Sequence, residues 1–369
     1  MFGVQTFFIS KALGYLIRVL LYEIDEQLLS HEFMLYFFFG LNGLDWISLI
    51  VTLIFQFYLF TNGPELNRKF IKFSAIFVYI GLICFLITIV SENYNELINS
   101  IKLSTNIDNI IAKKNISPLI SIVGTMFVYF SILILTFGDF SRFAKNAKEM
   151  KKGNLSLILN LIIFSFFALL ITVGSDIILT KNAISVERLL TNPNDIIGKI
   201  DNSFLTVISL IFILVSSFST NLIANYIPAQ NTLINFLPNF LTIKKTGFLI
   251  CLLSLIVASL WLSIFNKASM LTSIDTLSAF FGPIFGVIIS DYYLIKKEQI
   301  NHKELFYPKE TTEYIYTRGW NHKGLFSIII GFIFSASTIW NVNLTSLHSF
   351  AWIIGAFVSF LLYYLISSE

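Results

Sequence analysis

Apolar runs of about 20 residues recur along the whole 369-residue chain, separated by short polar connections. A run of that length crosses a hydrocarbon core of about 30 Å as a helix, and only a helix satisfies the backbone groups of such a run from within itself. The alternating ten-residue segments of a membrane barrel are absent. With 56% hydrophobic and 13% charged residues and a mean hydropathy of +0.77, the chain reads as an all-α integral membrane protein. Spans are expected near 2–22, 43–61, 71–92, 118–138, 156–179, 203–225, 246–265, 272–295, 325–341 and 348–366, a helical bundle of about ten. No Pro- or Ser-rich linker and no short-period repeat divides the chain, so residues 1–369 are expected to form a single transmembrane domain.

Charge placement gives an orientation. One set of connections holds Arg68, Lys69 and Lys72, then Arg142, Lys145, Lys148, Lys151 and Lys152, then Lys244 and Lys245, and finally Lys296, Lys297, Lys303, Lys309, Arg318 and Lys323. The alternate set holds Lys102, Lys113, Lys114, Lys181, Arg188, Lys199 and Lys267. The positive-inside rule makes the first set cytoplasmic and, with an even number of spans, places both Met1 and the C-terminus on that side of the cell (inner) membrane. A net charge of +3, scattered as it is, argues against a nucleic-acid partner. Cys84 and Cys251 sit in separate apolar runs, where a thiol behaves as a small hydrophobe. The chain opens directly on an apolar helix without a basic n-region or a small-residue cleavage site, which argues against a signal peptide. None of His31, His302, His322 and His348 pairs with another at metal-ligand spacing, and there is no HExxH, nucleophile elbow or phosphate loop. These absences point away from an enzyme or an ATP-driven pump and from a resident cofactor.

Polar groups at bilayer depth are costly, so they mark cavities, partners or substrates. The segment from Ser216 to Asn225, SSFSTNLIAN, is the densest such cluster. Ser216, Ser219 and Thr220 fall at i, i+3 and i+4, lining one helical stripe with oxygens of the kind a small hard cation takes as ligands. Asn225 lies five residues beyond Thr220, roughly 140° around a regular helix at about 100° per residue, and offers both a donor and an acceptor to an amide-like edge. The competing reading is close helix packing with the hydroxyls bonded to their own backbone. Gly124 precedes the aromatic pair Tyr129 and Phe130, a pattern that permits a local helix break beside a ring-stacking surface, against the alternative of an aromatic packing layer. Asp139 and Arg142 stand at i, i+3 at the end of that span, where a charge pair is expected. Gly282, Pro283 and Gly286 mark a helix able to bend as a gate or simply to pack closely. Lys11, near the middle of the first span, and Arg18 are expected to face a watery path, snorkel or meet a carboxylate.

Five ordered motifs carry a resemblance: FGVQT at Phe2 to Thr6, LDWIS at Leu44 to Ser48, GDFSRFAKN at Gly138 to Asn146, STNLIAN at Ser219 to Asn225, and GPIFGVIISDYYLIKK at Gly282 to Lys297, followed by a loop ending in GWNHKG. Together they resemble the nucleobase-cation symporter family of permeases for cytosine, uracil, allantoin, hydantoin and thiamine. The resemblance implies an inverted-repeat, sodium-symporter-like architecture of twelve spans. It places FGVQT on the third of them, so the chain is expected to lack the first two, with Met1 where a tryptophan commonly precedes the motif. It further implies a midplane site in which Gln5, Tyr129, Phe130 and Asn225 meet a flat heterocycle, Phe130 by stacking. Ser216 (through its main-chain carbonyl), Ser219 and Thr220 would supply half of a sodium site, whose other ligands come from the family's first helix. The expected activity is cation-coupled import, by Na+ or H+, of a nucleobase or related heterocycle, the alternative being a non-transporting remnant of such a permease.

Overall fold

The computed structural model describes residues 1–104, 113–181, 203–261, 270–306 and 313–368. Arg188, Lys199, Lys267 and Lys309, and the end of the span expected at 246–265, lie outside them, as does the side chain of Tyr129. The long helices, in chain order, are α1 (Phe2–Ile24), α2 (Gly43–Thr61), α3 (Pro64–Ser104), α4 (Lys113–Leu135), α5 (Ala147–Lys181), α6 (Ser203–Thr220), α7 (Ile227–Phe236), α8 (Ile243–Leu260), α9 (Met270–Ile289), α10 (His322–Trp340) and α11 (Ala351–Ser367). Eight helical stretches among the described residues are long and apolar enough to cross a membrane. The other two expected spans also fall on helices, α4 and α9.

Several elements differ from the sequence expectation in instructive ways. α3 and α5 run to 41 and 35 residues, each helix continuing from its apolar core into polar sequence that holds no internal proline. α6 does not stop at Asn225. A π-helical turn, Asn221–Tyr226, joins it to α7. Pro228, near the start of α7, has no N–H to return to the previous turn, and the Ile227 N–H bonds Leu222 O in the wider register instead. Between α1 and α2 the run FFFG forms a hairpin, β1 (Phe37–Phe38) with β2 (Leu41–Asn42), closed by Phe39 and Gly40, both at positive φ as a tight two-residue turn demands.

The described residues divide into two compact units. The first comprises Met1–Asn109 and Asp139–Lys267. Here α1 packs against α2, α6 and α8, and α3 against α5 and α6. Phe2, Leu59, Phe60, Leu222, Tyr226 and Ile250 form its largest buried cluster. The outward residues of α3 and α5, such as Ile76, Ile80, Ile158 and Ile162, are exposed and apolar, as a lipid-facing surface should be. The second unit comprises Ile110–Gly138 and Ala268–Glu369, in which α9, α10 and α11 pack on one another with α4 beside them. Small residues let these backbones approach: Ser335 Oγ donates to Ala351 O at 2.6 Å and Ser359 Oγ to Pro283 O at 2.9 Å. Past the end of α9, Lys296 bonds Asp291 at 3.2 Å and lies against Tyr314 and Tyr316. Burial alone would draw its ammonium down, but the bonds to Asp291 and Tyr316 outweigh that and hold it above the ordinary lysine value.

Candidate functional site

Polar side chains in the first unit converge where α1 meets the π-helical turn. Asn225 donates through Nδ2 both to Gln5 Oε1 at 2.8 Å and to Asn221 Oδ1 at 2.9 Å. The π-turn winds less per residue than an α-helix, which sets Asn225 nearly above Asn221. Gln5 Nε2 donates in turn to Ser217 O at 3.4 Å. The bonds around this pair therefore commit both Nδ2 hydrogens of Asn225 and one of Gln5. An acceptor, Asn225 Oδ1, and a donor, the second Gln5 N–H, are left on two half-buried side chains. That is the complement of a ring edge presenting N–H beside C=O.

One turn earlier, Ser219 Oγ and Thr220 Oγ1 approach Ser216 O at 3.1 and 2.9 Å. The three oxygens expected to serve a cation thus lie together on one half-buried stripe. Each hydroxyl also satisfies itself on the helix backbone, so the stripe is competent both as an ordinary helix surface and as part of a coordination shell. Phe130 belongs to α4 in the second unit and is half-buried.

Other expected residues land differently. α4 runs unbroken through Gly124, which marks a close approach to the Ser349 carbonyl rather than a helix break. Asp139 and Arg142 do not pair: Asp139 Oδ1 accepts from Asn231 Nδ2 at 2.8 Å, and the Arg142 guanidinium lies 5.0 Å from the Phe143 ring. The short helix there ends at Ser141, so the i, i+3 geometry the pair requires is lost. Gly282 and Gly286 press against the backbone carbonyls of Trp352 and Ala356, and Pro283 sits inside a continuous α9. Lys11 finds its carboxylate. It and Arg18 both bond Asp45, each at 2.7 Å, and Asp45 also closes the capping box of α2 with Asn42.

The residues that sequence reasoning passed over are Thr6, Gln56 and Asn221, all fully buried and bonded to one another behind the Gln5–Asn225 pair. Their signal was present. Gln56 is a lone amide in the apolar run LIFQFYLF, and Asp45, Ser48, Thr52 and Gln56 recur at helical spacing along one face of α2.

The family model described as permease for cytosine/purines, uracil, thiamine, allantoin matches residues 2–366. The chain belongs to this permease family. It is 28% identical over 232 residues to the allantoin permease of Bacillus subtilis, covering 63% of this chain and 45% of that protein. It is 29% identical over 205 residues to a purine-uracil permease of Arabidopsis thaliana, covering 56% of this chain and 33% of that one. The chain thus spans about half or less of the curated relatives it matches. Among solved structures, MHP1, a nucleobase-cation-symport-1 family transporter in a closed conformation with bromovinylhydantoin bound, superposes with a TM-score of 0.65 at 18% identity. That superposition covers 99% of this chain and 72% of MHP1, and at this identity it establishes the fold. The chain is therefore a multi-pass helical membrane protein with the fold of that transporter, and the relatives it matches are named as permeases.

Proposed function

We propose that this permease-family chain, residues 1–369 acting as one transport domain, is a secondary transporter that imports a nucleobase-like heterocycle such as uracil, cytosine, allantoin or hydantoin, coupled to Na+ or H+. The observation that carries the reading is the amide pair Gln5–Asn225, whose bonds leave one acceptor, Asn225 Oδ1, and one donor, a Gln5 N–H, on two side chains bonded to each other. A ring bearing an adjacent N–H and C=O satisfies both at once. A ring lacking either leaves a desolvated amide group without a partner, the strongest route to discrimination that a small site has. Ser216 O, Ser219 Oγ and Thr220 Oγ1 fit a hard cation as part of its oxygen shell, and the coupling ion is a co-substrate there. Gly282, Pro283 and Gly286 with Gly124, Asp139 and Arg142 belong to the helix contacts that would shift during alternating access. The basic connections support a cytoplasmic C-terminus in a cell (inner) membrane.

Uptake of labelled uracil, allantoin and hydantoin into proteoliposomes, with an inward gradient of sodium, of protons or of neither, tests the assignment. One of these rings should accumulate in a gradient-dependent manner, and Asn225→Ala should reduce its uptake at least about tenfold, through loss of the one hydrogen bond from Asn225 Oδ1 to the ring and of the bond that orients Gln5 in a desolvated site. Undiminished uptake by Asn225→Ala would overturn the proposal.

A further inference from the structure

Gln56 has no direct contact with the amide pair, yet it is fully buried in a helix pair where a methionine would pack as well and leave nothing unsatisfied. Its Oε1 lies 3.0 Å from Thr6 Oγ1, and its Nε2 is buried with no partner among the described residues. Thr6, also fully buried, has a single proton, with Gln56 Oε1 at 3.0 Å and Phe2 O at 2.9 Å to receive it. Thr6 accepts from Asn221 Nδ2 at 3.2 Å, while Asn221 Nδ2 also faces Phe2 O at 3.5 Å. A backbone carbonyl can only accept, so the donor end of Asn221 is pinned towards α1 and its acceptor end towards Asn225. Asn225 must then spend Nδ2 on Asn221 and turn Oδ1 away. The polarity of Asn221 is thus set by Thr6 and the Phe2 carbonyl together, and that of Asn225 by Asn221.

We propose that Gln56 is a positioning residue for substrate recognition: acting through Thr6 and Asn221, it holds the Gln5–Asn225 pair in the one donor–acceptor arrangement that selects a ring edge carrying N–H beside C=O. This rests on the transport reading above. Packing alone gives no reason for a buried amide with an idle N–H at this depth, whereas an orienting role does. With Gln56 Oε1 removed, the Thr6 proton has only Phe2 O to receive it, where it competes with Asn221 Nδ2 for the same carbonyl; Asn221 is then held by Thr6 Oγ1 alone, and Asn225 gains the freedom to flip and offer a donor to a ring that carries only acceptors.

The test is competition for uptake by the full chain in proteoliposomes, using uracil and hydantoin, each against its N,N′-dimethyl derivative, which retains the carbonyls and lacks the N–H groups. Gln56→Met preserves volume and should lower the preference for the unmethylated ring about fivefold or more, with the maximal rate of uptake changed far less than the half-saturating concentration. Thr6→Val should produce the same loss and Thr6→Ser should restore the preference, a pattern that a purely structural role does not produce. The double variant Gln56→Met with Thr6→Val should lose no more than either alone, because both interrupt one series. If Gln56→Met fails to assemble, the contrast between Thr6→Val and Thr6→Ser decides. An unchanged preference in Gln56→Met, or equal behaviour of Thr6→Val and Thr6→Ser, overturns the proposal. Asn225→Ala serves as the control: loss of uptake there with an unchanged preference in Gln56→Met rejects the positioning role alone, whereas full uptake by Asn225→Ala rejects the underlying transport assignment.

Discussion

Two cations share one carboxylate between α1 and α2, and the arithmetic of that cluster makes unequal demands on its members. Lys11 Nζ and Arg18 each lie 2.7 Å from separate oxygens of Asp45, whose side chain is 3% exposed, while the cations retain 21% and 25%. The group carries one surplus positive charge. Asp45→Asn raises that surplus to two and removes both ion pairs, whereas Lys11→Met removes one pair and leaves Arg18 and Asp45 neutral together. Breaking a buried pair by deleting one partner costs about 3–5 kcal/mol, mostly from the uncompensated charge left behind. Because Lys11 and Arg18 keep roughly a fifth to a quarter of their surface open, they recover some hydration, and about 3 kcal/mol is the appropriate figure for Asp45→Asn. The capping bond from the Asp45 N–H to Asn42 Oδ1, at 2.9 Å, survives that change, while the reciprocal bond from the Asn42 N–H to the Asp45 carboxylate, at 3.3 Å, is weakened, so the helix start adds little to the loss. Lys11→Met should cost about 1 kcal/mol, a charged hydrogen bond lost against a surplus charge relieved. At roughly 2–4 °C per kcal/mol, thermal unfolding in detergent micelles should fall by roughly 6–12 °C for Asp45→Asn and by only a few degrees for Lys11→Met. Equal shifts for the two variants, or a fall of under about 3 °C for Asp45→Asn, would refute the reasoning.

Further outcomes follow from the second unit. A Cβ on Gly286 would strike the Ala356 carbonyl and the Ser359 hydroxyl, so Gly286→Val should destabilise by about 1–3 kcal/mol or force α9 and α11 apart, measured as a lowered unfolding temperature in micelles. Tyr363 donates to Asp291 Oδ1 at 2.7 Å and accepts from Asn321 Nδ2 at 3.1 Å, so Tyr363→Phe leaves a carboxylate and an amide each short of a bond. The expected loss is about 1–3 kcal/mol by the same measurement, and an unfolding temperature equal to that of the unmodified protein would show the bonds to be idle.

The helices were legible because each rests on a local property. An apolar run of sufficient length has no better way to bury its own peptide groups in lipid, whatever its neighbours do, and within the described residues all ten expected spans fall on helices. The carboxylate that Lys11 requires was legible as a need but not as Asp45, since charge alone does not say which helix lies alongside. The expected pairing of Asp139 with Arg142 failed for the converse reason. Spacing of i, i+3 guarantees proximity only while the helix continues, and here it ends at Ser141. Gly124 was misread as a break because a glycine's missing side chain serves close packing as readily as it serves irregular backbone, and only the partner, the Ser349 carbonyl, distinguishes the two.

The candidate site was legible at its surface and hidden one layer behind. Asn225 and the stripe from Ser216 to Thr220 stood out as polar groups in apolar sequence, and Gln5 came from the family resemblance, but the geometry that joins Asn225 to Gln5 depends on a change of helical register. That register is set from the far side by Pro228, a residue whose chemistry is what it lacks: with no N–H to return, it leaves the preceding turn free to open. The same opening sets Asn225 over Asn221, Asn221 leans on Thr6, and Thr6 leans on Gln56 across two helices. A periodic reading of single helices cannot order those four, because their relation is a sequence of donors and acceptors rather than a spacing. Membrane burial turns such a sequence into a constraint, since an amide in lipid has no water to accept an alternative orientation, and reversing one member obliges its neighbours to reverse or to go unpaired. On the proposed reading, selectivity at the half-buried end is a property of the buried end, which is why a side chain as remote as Gln56 would matter to a ring it does not touch.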